Sequence, residues 1–484
     1  MLHPELTALE GLLLARAGKV REAEEKLRTL ILQSNVPTGR ILLASLLPPI
    51  YQSMDDLHHW RTRLETGLRQ LVDEGVRQNL EHSFAVPEFM AQYHGVNDRD
   101  LQALRARLYL APQDDDWCGK RSPAADGRIR VGMVSKYFKE HTIGHLNIGL
   151  PAKLPRSDFH VTVLATGPAK DEIGDAFRRH ADSYISLPDR VELLPEIRRM
   201  IAGLKLDVLY YADLGMEPIS YTLAQSRLAP VQCVTWGHPA TSGLATMDYF
   251  ISADGLEPDD SQDQYTEKLV KLKDLAVYYH RPRLDETAAG RDRMGLPMDA
   301  HLYGCPQSLY KMHPEFDEVL AAILHADPRG VLVLLEGHYK DWNSWLMERF
   351  SRTLGDAVRR VRFVPRQDRQ GFMRLSAACD VLLDPLHFGG GNTTYEALAL
   401  GTPVVTLPSG MLRGRLAFKM YQTMGMTDCV AADKQDYVRL ALQLGTRKDH
   451  RQAVKQKILE TCGVLFENDA GVRQLGEFWK SVVK

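Results

Sequence analysis

Three consecutive glycines, Gly389, Gly390 and Gly391, stand between an apolar run and a helix-like stretch, and Asn392, Thr393, Thr394 and Glu396 follow them. Glycines carry no Cβ, so their backbone N–H groups can come close to a ligand. A helix starting near Asn392 or Thr393 adds unpaired N–H groups and the positive end of its dipole, which together suit an anion such as a diphosphate. Asn392, Thr393 and Thr394 carry donors for phosphate oxygens, and Glu396 accepts hydrogen bonds as a carboxylate holding ribose hydroxyls would. On these residues alone, an ordinary strand–helix turn with a capping residue fits as well. The spacing is neither G-x-G-x-x-G nor a P-loop ending in Gly-Lys-Ser/Thr, so no dinucleotide or ATP motif is matched.

Two further segments add charge and possible bases. "CPQSLYKMHPEF" (305–316) places Lys311 in a loop after an apolar run, where an ammonium can neutralise a leaving diphosphate. "HTIGHLNIGL" brings in His141 and His145, whose i, i+4 spacing would suit a metal on a helix. It lacks the glutamate of an H-E-x-x-H site and a nearby third ligand, so no metal is expected there. Asp213, at the end of "LDVLYYADL", is a candidate base beside His141, and capping the following loop is an equal reading of it. "DDD" at 114–116 formally fits a metal-binding D-x-D, but it lies in the polar linker "APQDDDWCGKRSPAADG" and reads as a solvated loop.

These residues must be positioned by strands and helices. Residues 1–120 read as a helical domain, in which Val20, Ala23, Leu27 and Leu30 recur at helical spacing. With small residues at Gly11 and Ala23, the first two helices look like one tetratricopeptide unit, although later helices do not repeat the pattern. From 128 to 282, "RIRVGMVS", "HVTVLAT", "LDVLYYADL", "PVQCVTWGHP" and "MDYFISAD" are short β-rich runs, several of them separated by helix-like segments. That alternation predicts βαβ units and a parallel sheet covered on both faces. From 283 to 484 the pattern restarts with "HLYGCPQ", "GVLVLLEG", "VRFVP", "DVLLDP" and "TPVVTLPSG", then ends in a helix able to pack on either half. Two doubly wound α/β halves leave a cleft, with the loops at the strands' carboxyl ends facing into it.

Composition narrows the partners. The 484 residues carry a net charge of −2, so no global basic field attracts nucleic acid or an anionic membrane. The six cysteines form no Cys-x-x-Cys pair, which argues against a disulfide scaffold or a zinc ribbon. The N-terminal sequence has no basic segment followed by a cleavage site, and no apolar run is long enough to span a bilayer. A cytoplasmic protein is expected.

Several motifs occur in a fixed order: "VSKYFKEHTIGHL" (134–146), "WGHPATSG" (236–243), "QYTEKLVKL" (264–272), "SLYKMHP" (308–314) and "GGGNTTYEALALGTPVVTLPSGMLRGRLA" (389–417). Together they resemble the catalytic region of the O-linked N-acetylglucosamine (O-GlcNAc) transferases and the Spindly-type proteins, over about residues 128–480. The resemblance implies a GT-B architecture, with two Rossmann-like halves and a nucleotide-sugar between them. It further implies inversion at the anomeric carbon with no cofactor and no metal. By the same resemblance Lys311 contacts the donor diphosphate with Tyr310 beside it, Thr393 and Thr394 hold phosphate oxygens, and His141 is the active-site histidine. Gly390 and Gly391 belong to the donor loop, and His238, Thr241 and Ser242 of "WGHPATSG" are expected on the acceptor side.

Some positions depart from the family pattern. Asn392 stands where animal enzymes commonly have histidine, and Ser308 where the family has glutamine. Phe372 aligns with a histidine that stacks on uracil. The expected activity is transfer of GlcNAc from UDP-GlcNAc to a protein Ser or Thr, with a protein or peptide acceptor docked on the N-terminal helices. Another sugar such as fucose from GDP-fucose, an Asn or glycan acceptor, a nucleotide-sugar epimerase and a non-catalytic binding module are the alternatives.

Overall fold

The computed structural model describes residues 4–34, 36–81, 83–112, 124–285 and 290–483. The "DDD" stretch at 114–116 and Cys118 lie outside the described residues. Helices Pro4–Ala17 and Val20–Ser34 form the first pair, with Ala23, Leu27 and Leu30 buried between them. Gly11 is small for a reason: a Cβ there would stand 2.8 Å from Leu27. Helices Pro37–Ala44, Met54–Asp73 and Arg99–Ala106 follow without repeating that geometry. The region also holds one short parallel ladder, β1 (Gln78–Asn79) with β2 (Tyr109–Leu110).

The first α/β half is built on seven parallel strands: β3 (Ile129–Ser135), β4 (Phe159–Thr166), β5 (Ser183–Leu187), β6 (Val208–Tyr211), β7 (Val231–Thr235), β8 (Tyr249–Ala253) and β9 (Lys268–Leu272). Their order is β5-β4-β3-β6-β7-β8-β9. The second half has β10 (His301–Cys305), β11 (Gly330–Leu335), β12 (Val361–Val364), β13 (Val381–Leu383) and β14 (Val404–Val405), in the order β12-β11-β10-β13-β14. Each sheet reverses its winding at its first strand, so the crevices open beside β3 and β6 in one half and beside β10 and β13 in the other.

β5 and β9 were not foreseen in the sequence. Both are edge strands whose side chains are only partly covered, so "SYISL" and "KLVKL" lack the continuous apolar run of a central strand. The terminal helix Ala470–Val482 belongs by sequence with the second half but packs on the first. There Trp479 meets Phe159 and Tyr210 edge-on, and Phe478 meets Tyr249.

The helical region is fastened to both halves. Thr222 accepts from Ala85 N–H (2.8 Å) and Arg198 donates to the Leu80 carbonyl (3.1 Å) on one side. On the other, Arg349 donates to the Tyr51 carbonyl (2.8 Å), Trp342 to the Ala17 carbonyl (3.1 Å), and Arg413 pairs with Asp98 (3.0 Å). No helix among the described residues is long and apolar enough to cross a membrane.

Candidate functional site

The loops after β10 and β13 meet at one end of a cavity of about 920 Å³ that all three parts of the chain line. After β13, Asp384 turns back into the loop it opens. Its carboxylate accepts from Gly390 N–H (2.7 Å) and from the Thr406 hydroxyl (2.8 Å). The glycines are required by close neighbours. A Cβ on Gly389 would lie 2.6 Å from the Asp384 carboxylate, and one on Gly390 would lie 2.3 Å from Thr393 Oγ1.

Gly389 N–H donates to the Arg413 carbonyl (2.8 Å) and Gly390 N–H is held by Asp384, so neither is left for a ligand. The N–H groups of Gly391, Asn392 and Thr393 have no acceptor within the described residues, and they open the helix Asn392–Ala399. The open N–H groups therefore begin two residues later than the glycine run, and of Gly390, Gly391, Asn392 and Thr393 only Thr393 lines the cavity.

Lys311 closes this end of the cavity from the short 3-10 turn Leu309–Lys311. Its ammonium donates to Gln307 Oε1 (2.8 Å) and the Gly389 carbonyl (3.0 Å) and lies 4.8 Å over the Phe388 ring. Burial pulls its pKa down to about 8, against the attraction of Asp384. Burial pushes Asp384 up to about 6.

Gln307, which the sequence reading passed over, ties the two loops together. An ammonium can only donate, so the amide oxygen faces Lys311 and the amide NH₂ faces Thr393 Oγ1 at 2.8 Å. Thr393 thus accepts from Gln307 and keeps its own proton for a ligand. The available signal was the amide one residue before Ser308, the position where the family places its glutamine. Ser308 itself lines the cavity. We expect Gln307→Ala to lower turnover about tenfold. Gln307→Glu should lower it further, because a carboxylate there would repel an anion bound at this end of the cavity. Equal kcat/KM for wild type and both variants would remove this role.

The other predicted residues divide. Phe372 lines the cavity one turn into helix Arg369–Ala378, which Asp368 caps by accepting from Gly371 N–H (2.7 Å). Phe372→Ala should weaken nucleotide binding by about 1–3 kcal/mol if the ring stacks on a base. An unchanged Kd for UDP and GDP alike would cancel the assignment. Glu396 also lines the cavity, but Arg369 donates to its Oε1 at 2.8 Å, a partner the sequence did not reveal. Tyr310 packs against Tyr93 (4.6 Å between ring centroids) and Trp342 (6.0 Å) at the cavity wall. Thr394 does not reach the cavity lining, because its hydroxyl donates to the Gly390 carbonyl (2.9 Å). Asn392 reaches across to the Thr142 carbonyl (3.4 Å), linking the two halves.

The two candidate bases are placed differently. His141 lines the cavity, stacked on Tyr137, but its Nδ1 accepts from Ile143 N–H (3.2 Å). Its neutral ring therefore carries its proton on Nε2 and presents a donor. Burial, with Lys139 and His145 nearby, pulls its pKa down to about 4, so the ring stays neutral. Asp213 is buried below the lining, where its Oδ2 accepts from Ser135 (3.0 Å), and burial together with Glu217 raises its pKa well above the usual carboxylate range.

The three acceptor-side residues do not face the cavity either. Thr241 donates to Glu267 (2.6 Å), while Ser242 gives both its N–H (2.8 Å) and its hydroxyl to the same buried carboxylate. They tie a loop together. His238 is buried against Phe89, its pKa pulled down to about 3 by burial, with Gly215 leaving room for its ring.

His145 pairs with Glu140 (2.7 Å). Among the described residues, one group could hold a metal: His313, Glu315 and His387. It lies outside the cavity lining. Glu315 there already accepts from His387 (2.9 Å) and has the Lys434 ammonium 4.0 Å away.

Two doubly wound halves around one cavity, with an ammonium, a hydroxyl and open helix N–H groups at the switch point of the second, define the two-lobed GT-B class. The chain belongs to glycosyl transferase family 41, whose model matches residues 110–281 and 281–470. It is 26% identical over 348 residues to a probable UDP-N-acetylglucosamine–peptide N-acetylglucosaminyltransferase SPINDLY of Petunia hybrida, covering 70% of this chain and 36% of that protein. It is 24% identical to the corresponding SEC protein of Arabidopsis thaliana, covering 68% and 34%. The chain thus spans only about a third of the length of these relatives. A mutant O-GlcNAc transferase of Thermobaculum terrenum superposes with a TM-score of 0.74 at 23% identity, covering 99% of this chain and 91% of that one, and supports the fold.

Proposed function

We propose that the protein transfers a sugar from a nucleotide-sugar to a hydroxyl by a single inverting displacement without a metal. The best-supported donor is UDP-GlcNAc and the best-supported acceptor a protein Ser or Thr, in keeping with the names of the relatives. One observation supports the reading: Lys311 and Thr393, bridged by Gln307, line one end of the cavity, and the Thr393 N–H has no acceptor within the described residues. In such a displacement the largest electrostatic demand is the charge developing on the departing diphosphate, and these donors are already in place to meet it. A neutral His141 with a proton on Nε2 is suited to donate a hydrogen bond rather than to take the acceptor's proton.

The cytoplasm is the compartment we propose, since the described cysteines are free and buried. Incubation of the full chain with labelled UDP-GlcNAc, UDP-glucose and GDP-fucose, with and without EDTA and a peptide mixture, tests the reading. EDTA-insensitive transfer or hydrolysis of one donor supports it. Conversion of the sugar to its epimer, or no binding of any donor, would overturn it.

A further inference from the structure

The two loops that meet around Lys311 are also joined outside the cavity lining. Beyond the turn Leu309–Lys311 the chain runs through His313 to Glu315, just ahead of helix Phe316–Ala326. In the other loop His387 immediately precedes Phe388 and Gly389, whose ring and carbonyl meet the Lys311 ammonium. His387 Nε2 stands 2.9 Å from Glu315 Oε2, and since a carboxylate accepts, the ring nitrogen donates. The His313 ring lies edge-on to His387, 4.2 Å between centroids, and its Nδ1 accepts from Glu315 N–H (3.2 Å). That contact leaves the proton of a neutral His313 on Nε2, so the trio is arranged for hydrogen bonds rather than for an ion. The helical region closes on His387 from the other side: a Cβ on Gly95 would stand 2.6 Å from its Nδ1.

We propose that the His387–Glu315 bond is a strap that positions Lys311 for the departing diphosphate. The proposal rests on the transferase reading above. Neither residue lines the cavity, so the strap acts through Lys311 and both are positioning residues. Lys434, 4.0 Å from Glu315 and 3.5 Å from Glu318, can stay with Glu318 while Glu315 serves His387. A partly exposed bond of this kind adds little to stability. Its value lies in placement. The backbone of Lys311 belongs to the loop after β10, whereas the ring and carbonyl under its ammonium belong to the loop after β13. If the loops slide, the ammonium follows one and its platform the other, and a displacement of about 1 Å can cost about 10²-fold in rate. The ammonium is needed most as charge develops on the leaving group, so the loss should fall on kcat rather than on KM.

The test uses the full chain and the labelled donor it turns over, with Glu315→Ala, His387→Ala and Glu315→Gln, each alone and combined with Lys311→Met. Both alanine variants are expected to lose about tenfold in kcat, with KM for the donor within about twofold and Tm nearly unchanged. Glu315→Gln keeps an oxygen for the His387 N–H and should recover most of that loss. On top of Lys311→Met, Glu315→Ala should cost less than about twofold more, because the group it positions is already gone. Wild-type kcat in both alanine variants would overturn the proposal, as would a Glu315→Gln variant no better than Glu315→Ala. An undiminished loss on top of Lys311→Met, or a change confined to KM, also overturns it. Unfolding of both alanine variants does the same, since it makes the bond an element of stability. If the wild-type chain neither binds nor hydrolyses a donor, the transferase reading falls and takes the proposal with it, whereas donor turnover untouched by the variants overturns the strap alone.

Discussion

Lys311→Ala is expected to cut sugar transfer by about 10²–10³-fold or more while leaving the fold intact, because it removes the cation nearest the proposed diphosphate site. In the free protein this ammonium donates to Gln307 and Gly389 and stands over Phe388. A diphosphate would compete for it with greater charge. Lys311→Met keeps the aliphatic stem against Phe388 and so separates lost charge from lost packing; it should lose nearly as much activity as alanine. Single-turnover transfer of labelled sugar, with thermal unfolding as the control for folding, measures both. Near-normal turnover in either variant would end the leaving-group role.

The lowered pKa of Lys311 adds a pH signature. Its charged form is the one that attracts the diphosphate, and that form is lost as pH rises through about 8. The value of kcat/KM should therefore fall on the alkaline side near pH 8, and a bound diphosphate should displace the limb in kcat upward. The limb should vanish in Lys311→Met. An acid limb from His141 is not expected above about pH 4, since the ring is already neutral there.

What the sequence revealed followed from local pattern. Central strands such as β3 and β10 are buried on both faces and read as apolar runs, and Lys311 and the glycine loop lie directly at strand ends. What it concealed were pairings across long stretches of chain. Gln307 and Thr393 are 86 residues apart, and nothing near either announces the bond. Thr241 and Ser242 looked like free hydroxyls until Glu267, a strand away, proved to hold both. Glu396 looked like a free carboxylate until Arg369 reached it. Asp213 closes a motif just as Asp384 does, and both are buried below the lining, yet only Asp384 holds the glycine loop. The difference lies in which neighbouring N–H each carboxylate meets, a matter of three-dimensional placement.

Asp384 is for that reason the position where a small change should have the second large effect. Asp384→Ala leaves the buried Gly390 N–H and Thr406 hydroxyl without their acceptor, a loss of about 1–3 kcal/mol for each group. It also removes the negative charge that favours the ammonium of Lys311. With Gly390 released, the loop that holds Thr393 at the cavity lining loses its anchor. Donor binding should fall about 10²-fold or more, together with a lower Tm. Asp384→Asn keeps a carbonyl for Gly390 and the side-chain volume, so it should hold more of the stability but still lose the charge.

The linkage of Asp384 to pH runs opposite to that of an ordinary salt-bridged carboxylate. Its folded pKa of about 6 lies above the usual 3.8, so the folded chain binds this proton more tightly than the unfolded one. The contribution is present at low pH and is lost as pH rises from about 4 to about 6. Asp384→Asn should erase that part of the slope in chemical denaturation followed between pH 4 and 7. If Asp384→Ala binds UDP and GDP as tightly as the wild type, Asp384 does not set the loop and the diphosphate site must be sought elsewhere in the cavity.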